Sequence, residues 1–343
     1  MALSGNGMES PLDSHAVAAL ACPMSRLDDH LPELFAVLGV PWRGDLTERV
    51  ELTRRLWLGP EHGQIIATYD DKRRSRALAV FDKIGMLTPT LPNHSSEFAE
   101  TNIVCGTWAA NENRLRRVLA LRRQHGCQLG TINLWCGQRL RESRDGSADD
   151  IVERLRIRDA ALTSHPWMLA QLRLDPADPD PWRRPFATEY EVAVAAALAV
   201  LGPRLGLVET RTVIGVPSLP TVPARTLLWQ RFRTPDGQQL VALNAAAQPR
   251  LQGPPRHTTA SCAQEWLRHL PPPRGAAVLL FSGNPHTART LDDVRQIVGR
   301  HGRHDLAVHA AGSGAPESPR LLEMCLGEVA RMLHNRLHDG LGQ

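Results

Sequence analysis

From Asn102 to Gly137 two short apolar runs, each closing on glycine, flank a segment with helical spacing. Asn102 to Gly106 (NIVCG) and Thr131 to Gly137 (TINLWCG) have the length and β-branched content of strands. Glu112 to His125 between them is long enough to be the helix of a crossover. A strand, a helix and a second strand of this size join a parallel pair, because antiparallel neighbours need only a tight turn. The unit therefore predicts an α/β protein built on a parallel sheet.

A second unit of the same kind lies near the C-terminus, in Gly275 to Val298 (GAAVLLFSGNPHTARTLDDVRQIV). Ala276 to Phe281 reads as a buried strand, Ser282 to Arg289 as a polar loop, and the residues from Leu291 as an amphipathic helix. Open parallel sheets bind ligands at such exits, beyond the carboxyl ends of the strands. Asp305 to Ala310 is a further strand, and Ser318-Pro319 opens the last helix as N-cap and first helical residue. Between the two units, Thr188 opens a long apolar helix with Glu191 in capping-box spacing. Arg225 to Arg233 and Gln238 to Asn244 are strands joined by the turn Thr234-Pro235-Asp236-Gly237, an inserted β-hairpin. Upstream, Leu46 to Leu58 and Lys72 to Leu87 have helical spacing, with a short strand at Gln64 to Tyr69. The proline-bearing stretch Thr88 to Glu97 separates these elements from the strand at Asn102. The expected organisation is a frayed N-terminus over 1–25, a helical subdomain over 26–95 and an α/β domain over 96–343.

Composition enters mainly by exclusion. Forty Lys and Arg nearly balance 36 Asp and Glu, for a net charge of +4. The densest basic group, Arg114, Arg116, Arg117, Arg122 and Arg123, falls on one helix without interleaved aromatics. It reads as a solvated face and not as a nucleic-acid stripe. No stretch approaches the roughly 18 uninterrupted apolar residues of a membrane span. The six cysteines form no CxxC pair and several sit in apolar patterns, which reads as buried, reduced thiols in a cytoplasmic protein. The 14 histidines lie mostly in basic segments, so no metal site is expected.

No common catalytic signature is present: there is no GxSxG, HExxH, Walker loop, or GxGxxG after a strand. The richest constellation is the loop after the Ala276 strand. Gly283 permits close backbone approach, Ser282 and Asn284 offer donors and acceptors, and Arg289 beside a helix start suits a phosphate or carboxylate. A free imidazole has its pKa near neutrality, which makes His286 a candidate acid or base. Glu189, next to Thr188 but outside its capping box, is the other candidate base. Gly106 with Thr107, and Gly137 with Gln138, place polar loops on the same sheet edge. Thr258 and Thr259, after His257, precede a helix that carries Cys262 and Trp266 and are candidate ligand contacts opposite Glu189.

The order of these pieces resembles the YdcF/SanA-like family (domain of unknown function 218), and more closely a divergent actinobacterial branch with a helical N-terminal part. The likeness rests on NIVCGTWAANENRLRRVLAL, GTINLWCGQR, ATEYEVAVAAALAVLG, HTTASCAQEW and the Ser282 loop. Thr188-Glu189 stands in the family's Thr/Ser-Glu place, Thr258-Thr259 near its Asn-Thr place, and Cys136-Gly137 where the pattern has Gly-Gly. The resemblance implies a Rossmann-like, three-layer parallel sheet with a nucleotide-like or anionic ligand at its edge. It also brings in S-adenosylmethionine as a cofactor to consider. Three readings are open: an enzyme acting on a small nucleotide-like or anionic metabolite, a non-catalytic sensor or partner protein of the same fold, and a methyltransferase using S-adenosylmethionine. The partner in each is a small molecule, with no nucleic acid and no membrane, and with an oligomer left open.

Overall fold

Side chains along the apolar runs alternate between two buried faces, so each strand needs cover on both sides and the chain supplies it with helices. The computed structural model describes residues 23–58, 68–92, 97–137, 189–201, 205–214, 226–245 and 258–341. Within them lie eight helices and seven strands: α1 (Pro23–Leu38), α2 (Leu46–Trp57), α3 (Asp71–Ile84), β1 (Glu100–Val104), α4 (Trp108–His125), β2 (Thr131–Gly137), α5 (Glu189–Leu201), β3 (Gly206–Ile214), β4 (Thr226–Arg233), β5 (Gln239–Ala245), α6 (Thr259–His269), β6 (Ala277–Ser282), α7 (Thr287–Arg300), β7 (Ala307–Gly312) and α8 (Leu321–Leu341). The N-terminus over 1–22, the Gln64–Tyr69 strand (except Tyr69 and its neighbour at 68), Gln138, Thr188 with its capping box, and His257 are expectations that fall outside the described residues, while 23–25, expected to be frayed, open α1.

The strands form one sheet in the order β3-β4-β5-β2-β1-β6-β7. From β5 to β7 every neighbouring pair is parallel. β3, β4 and β5 pair antiparallel, which makes the sheet mixed. This corrects the expectation of a parallel sheet with a hairpin inserted in it. β5 is an arm of the hairpin and also the parallel neighbour of β2, and β3 carries no clear strand pattern in the sequence because Glu209 and Arg211 interrupt its apolar run. Those two residues pair with each other at 2.5 Å on the edge strand, where charge discourages pairing with another chain.

One face of the sheet buries Ile103, Leu134, Leu240 and Phe281 against α4 and α5. The other buries Trp135, Leu243 and Leu280 against α6 and α7. A third core joins α1, α2 and α3 to α8, with Phe35, Trp57, Phe81, Leu326 and Val329 inside it. The first and last helical segments thus share one interior. A buried polar ladder pins the centre of the sheet. Asn133 Nδ2 donates to Asn102 Oδ1 and to Glu100 Oε2, each at 2.7 Å, and Trp266 Nε1 donates to the same Glu100 oxygen at 2.7 Å. These bonds tie β1 to β2 in register and α6 to both. Burial pushes the Glu100 carboxyl up despite its two donors.

The position of β1 fixes where a site can form. The chain leaves β1 toward β2 and β5 on one side, then crosses to β6 and β7 on the other. The loops after β1 and β6 therefore lead to helices on opposite faces, the place where open α/β sheets form a ligand crevice.

Candidate functional site

The loop after β1 is braced by its own helix. Thr107 caps α4, its hydroxyl accepting from Ala110 N at 3.3 Å. Asn111, one turn in, holds both backbone groups of Gly106: its Oδ1 accepts from Gly106 N at 2.7 Å and its Nδ2 donates to Gly106 O at 3.0 Å. Gly106 and Thr107, expected to meet a ligand, are thereby occupied in shaping the turn. Gly137 remains in the sheet opposite Ala245.

What reaches the crevice is Arg114, a residue expected on a solvated face. At about 100° per residue, Thr107, Asn111, Arg114, Leu115 and Val118 share one side of α4, and Asn111, Leu115 and Val118 are buried. The basic neighbours do face outward: Arg116 pairs with Glu112 and Arg122 with Asp236, both at 2.7 Å. Arg114 instead turns back along the helix and its Nη1 donates to Val104 O at the end of β1. Its Nε is buried with no hydrogen-bond partner among the described residues.

Gly283 makes room for this guanidinium, whereas a Cβ on Gly106 would meet it at ordinary contact distance. A Cβ on Gly283 would stand 2.6 Å from Arg114 Nη2, and one on Gly106 would stand 3.4 Å from Nη1. Arg114 thus lies between the loops after β1 and β6, at the point where the strand order reverses. Burial pulls its pKa down, while Cys105 and the Glu189 carboxylate act in the opposite direction. Glu189 is buried at the first turn of α5. Its charge also reaches Cys136 and Cys262, whose thiols burial pushes well above the usual range. Arg114, Glu189, Cys105, Cys136 and Cys262 thus form one group at the carboxyl edge of β1 and β2.

The other sequence candidates belong to a second group, and its chemistry is structural. Asn284 Nδ2 donates to Thr88 O at 2.6 Å and to Gly85 O at 3.3 Å, and its Oδ1 accepts from Thr287 Oγ1 at 2.8 Å. It fastens the β6 loop to the end of α3. Helix α7 starts at Thr287, four residues before the expected Leu291, with His286 at the N-cap position. The His286 ring approaches the wholly buried Glu328 of α8 at 3.1 Å. Arg289 gives its Nε to Glu328 at 2.6 Å and its Nη1 to Asp293 at 2.9 Å, while Arg331 reaches Glu328 at 2.5 Å. Burial alone would push the Glu328 carboxyl up, but His286, Arg289 and Arg331 hold it well below the usual carboxylate range. Arg289 is already saturated by protein carboxylates, and the network locks α7 to α8.

Ser282 is buried at the end of β6, where its carbonyl accepts from Ser313 N at 3.0 Å. Thr258 caps α6 in a capping box with Ser261, in bonds of 3.2 and 2.7 Å, and Thr259 is the first helical residue. Among the described residues no group of three or more His, Cys, Asp or Glu is arranged to hold a metal ion. No described helix is long and apolar enough to cross a membrane. Comparisons of the chain with protein-family models, with curated proteins and with solved structures return no match.

Proposed function

We propose that this protein is a Rossmann-like enzyme that takes a small nucleotide-like or anionic metabolite in the crevice between β1 and β6. The observation that carries the reading is Arg114: a guanidinium between two glycine-bearing loops, at the strand-order reversal, with a buried Nε that no described group accepts from. The order β5-β2-β1-β6-β7 supports it, since it repeats the 3-2-1-4-5 order of sheets that bind nucleotides at that point. A planar guanidinium suits the paired oxygens of a phosphate or carboxylate. Glu189 serves as the base, or as the acceptor for a ligand hydroxyl, from the same edge. The likeness to YdcF-type proteins is part of this proposal and agrees with a ligand at the sheet edge.

A non-catalytic sensor of the same ligand class is the second reading. It is favoured by the ion network around Glu328, which takes up His286 and Arg289, two of the candidate reacting groups. Native mass spectrometry with S-adenosylmethionine and a panel of nucleotides tests both. A one-to-one adduct with wild type that Arg114→Ala abolishes is the expected result. Consumption of the adduct over time, stopped by Glu189→Gln with binding retained, selects the enzyme; a stable adduct selects the sensor. No adduct across the panel refutes the nucleotide-like ligand.

A further inference from the structure

The cysteines of the β1–β2 edge form a more defined arrangement than their scattered positions in the sequence suggest. Cys105 lies one residue beyond β1, and its N donates to Trp135 O at 2.9 Å, which continues the β1–β2 ladder. The preceding pair in register is Val104 with Trp135, so Cys105 stands beside Cys136. Both side chains belong to the face that also buries Ile103 and Leu134. Each sulfur turns back along its own strand: Cys105 Sγ lies 3.7 Å from Ile103 O, and Cys136 Sγ 3.6 Å from Leu134 O. Because the strands are parallel, the two sulfurs are displaced in the same direction and stay side by side. Neighbouring strands are about 4.8 Å apart, inside the roughly 4.4–6.8 Å between Cα atoms that a disulfide spans.

We infer that Cys105 and Cys136 are an oxidisable pair, in which the half-exposed Cys105 reacts with a peroxide and the buried Cys136 resolves it to an intramolecular disulfide. Accessibility sets the order, since Cys105 is half-buried and Cys136 only 1 % exposed. The Arg114 guanidinium lies within electrostatic reach of Cys105. In the first step the Cys105 sulfur takes the terminal hydroxyl oxygen of the peroxide, the O–O bond breaks, and the remaining fragment takes up the Cys105 thiol proton and leaves as an alcohol or water. Cys105 is then a sulfenic acid. In the second, the Cys136 sulfur attacks Cys105, the S–O bond breaks, and hydroxide leaves with the Cys136 proton as water. Two thiols give up two electrons and one peroxide receives them.

Cys262 is the natural competitor, because its Sγ donates to Cys136 O at 3.5 Å. Its side chain, however, packs in the core on the opposite face of the sheet, with the β2 backbone between it and the Cys136 sulfur. The inference does not depend on any ligand at Arg114, so it stands or falls separately from the proposed function.

The test treats the reduced, folded full-length chain with a small excess of hydrogen peroxide. Free thiols are then alkylated under denaturing conditions, and the bonded peptides are mapped by mass spectrometry. The expected result is the loss of two of the six thiols and of two hydrogens in mass, reversed by dithiothreitol. The peptide carrying Cys105 is joined to the one carrying both Cys127 and Cys136, with fragmentation placing the bond on Cys136. Cys136→Ser halts at a sulfenic acid on Cys105 that dimedone traps, and Cys262→Ser leaves the link intact. A link from Cys105 to any other cysteine overturns the inference. So does over-oxidation of Cys105 without a link, or retention of all thiols while the circular dichroism stays native. The wild-type map decides the matter should either serine variant fail to fold.

Discussion

Single residues decide whether the β1–β6 crevice can accept a charge. Arg114 fits there because Gly283 carries no side chain, so Gly283→Ala should displace the guanidinium from its place beside Val104 O. The expected readout is weakened ligand binding with an intact fold, measured by titration and circular dichroism. Gly312 is glycine for a different reason. A Cβ there would stand 1.9 Å from Asn284 Oδ1, so Gly312→Ala should lower stability by about 1–3 kcal/mol, the usual cost of overpacking, in urea denaturation. Glu100 offers a test of opposite sign. Burial raises its pKa, so its contribution to stability is present at low pH and is lost as the pH rises through the folded value. At neutral pH Glu100→Gln should equal or exceed wild type in stability. Glu100→Ala, which strands Trp266 Nε1 and leaves Asn133 Nδ2 with Asn102 Oδ1 alone, should cost about 1–3 kcal/mol.

At the scale of elements, the α7–α8 contact turns on Glu328. Its folded pKa is depressed by His286, Arg289 and Arg331. The stability it contributes is therefore complete above the ordinary carboxylate value, about 4.3, and is lost as the pH falls through the lower folded value. Glu328→Ala should cost about 1–3 kcal/mol at neutral pH, because it removes the carboxylate that His286, Arg289 and Arg331 share, while Arg289 keeps Asp293. The advantage of wild type over Glu328→Gln should shrink on acidification, as read from urea midpoints across that range. These contacts also mark what the sequence could convey. Apolar strands, the turn at Asp236-Gly237 and the helix that follows Thr258 depend on neighbours within a few residues, and they were legible. The fate of Arg289 was not, because its partner Glu328 lies 39 residues downstream. Arg114 was legible in part: its spacing from Asn111, Leu115 and Val118 puts it on the buried side of α4, but a run of five arginines reads first as a solvated face. The Gly283 and Glu189 positions pointed to the sheet edge where Arg114 lies, while His286 and Asn284 pointed to loop chemistry that packing has taken over.

For the whole molecule, the shared interior of α1–α3 and α8 means that the two ends of the chain stabilise each other. A chain ending at Glu317 should lose more helix than the 21 residues of α8, because Phe81, Val80 and Trp57 would lose their cover; far-UV circular dichroism reads this directly. Strand order explains the location of the site better than any single motif does. Among the described strands, β1 is the one from which the path leads first to one side and later to the other, and Arg114 closes the gap this leaves. The most direct test is isothermal titration of the folded protein with ADP and with inorganic pyrophosphate, comparing wild type with Arg114→Ala. The account predicts one-to-one binding of at least one of them to wild type, weakened tenfold or more, about 1.4 kcal/mol, in the variant. Equal affinity in the two proteins, or no binding of either ligand to wild type, would contradict it.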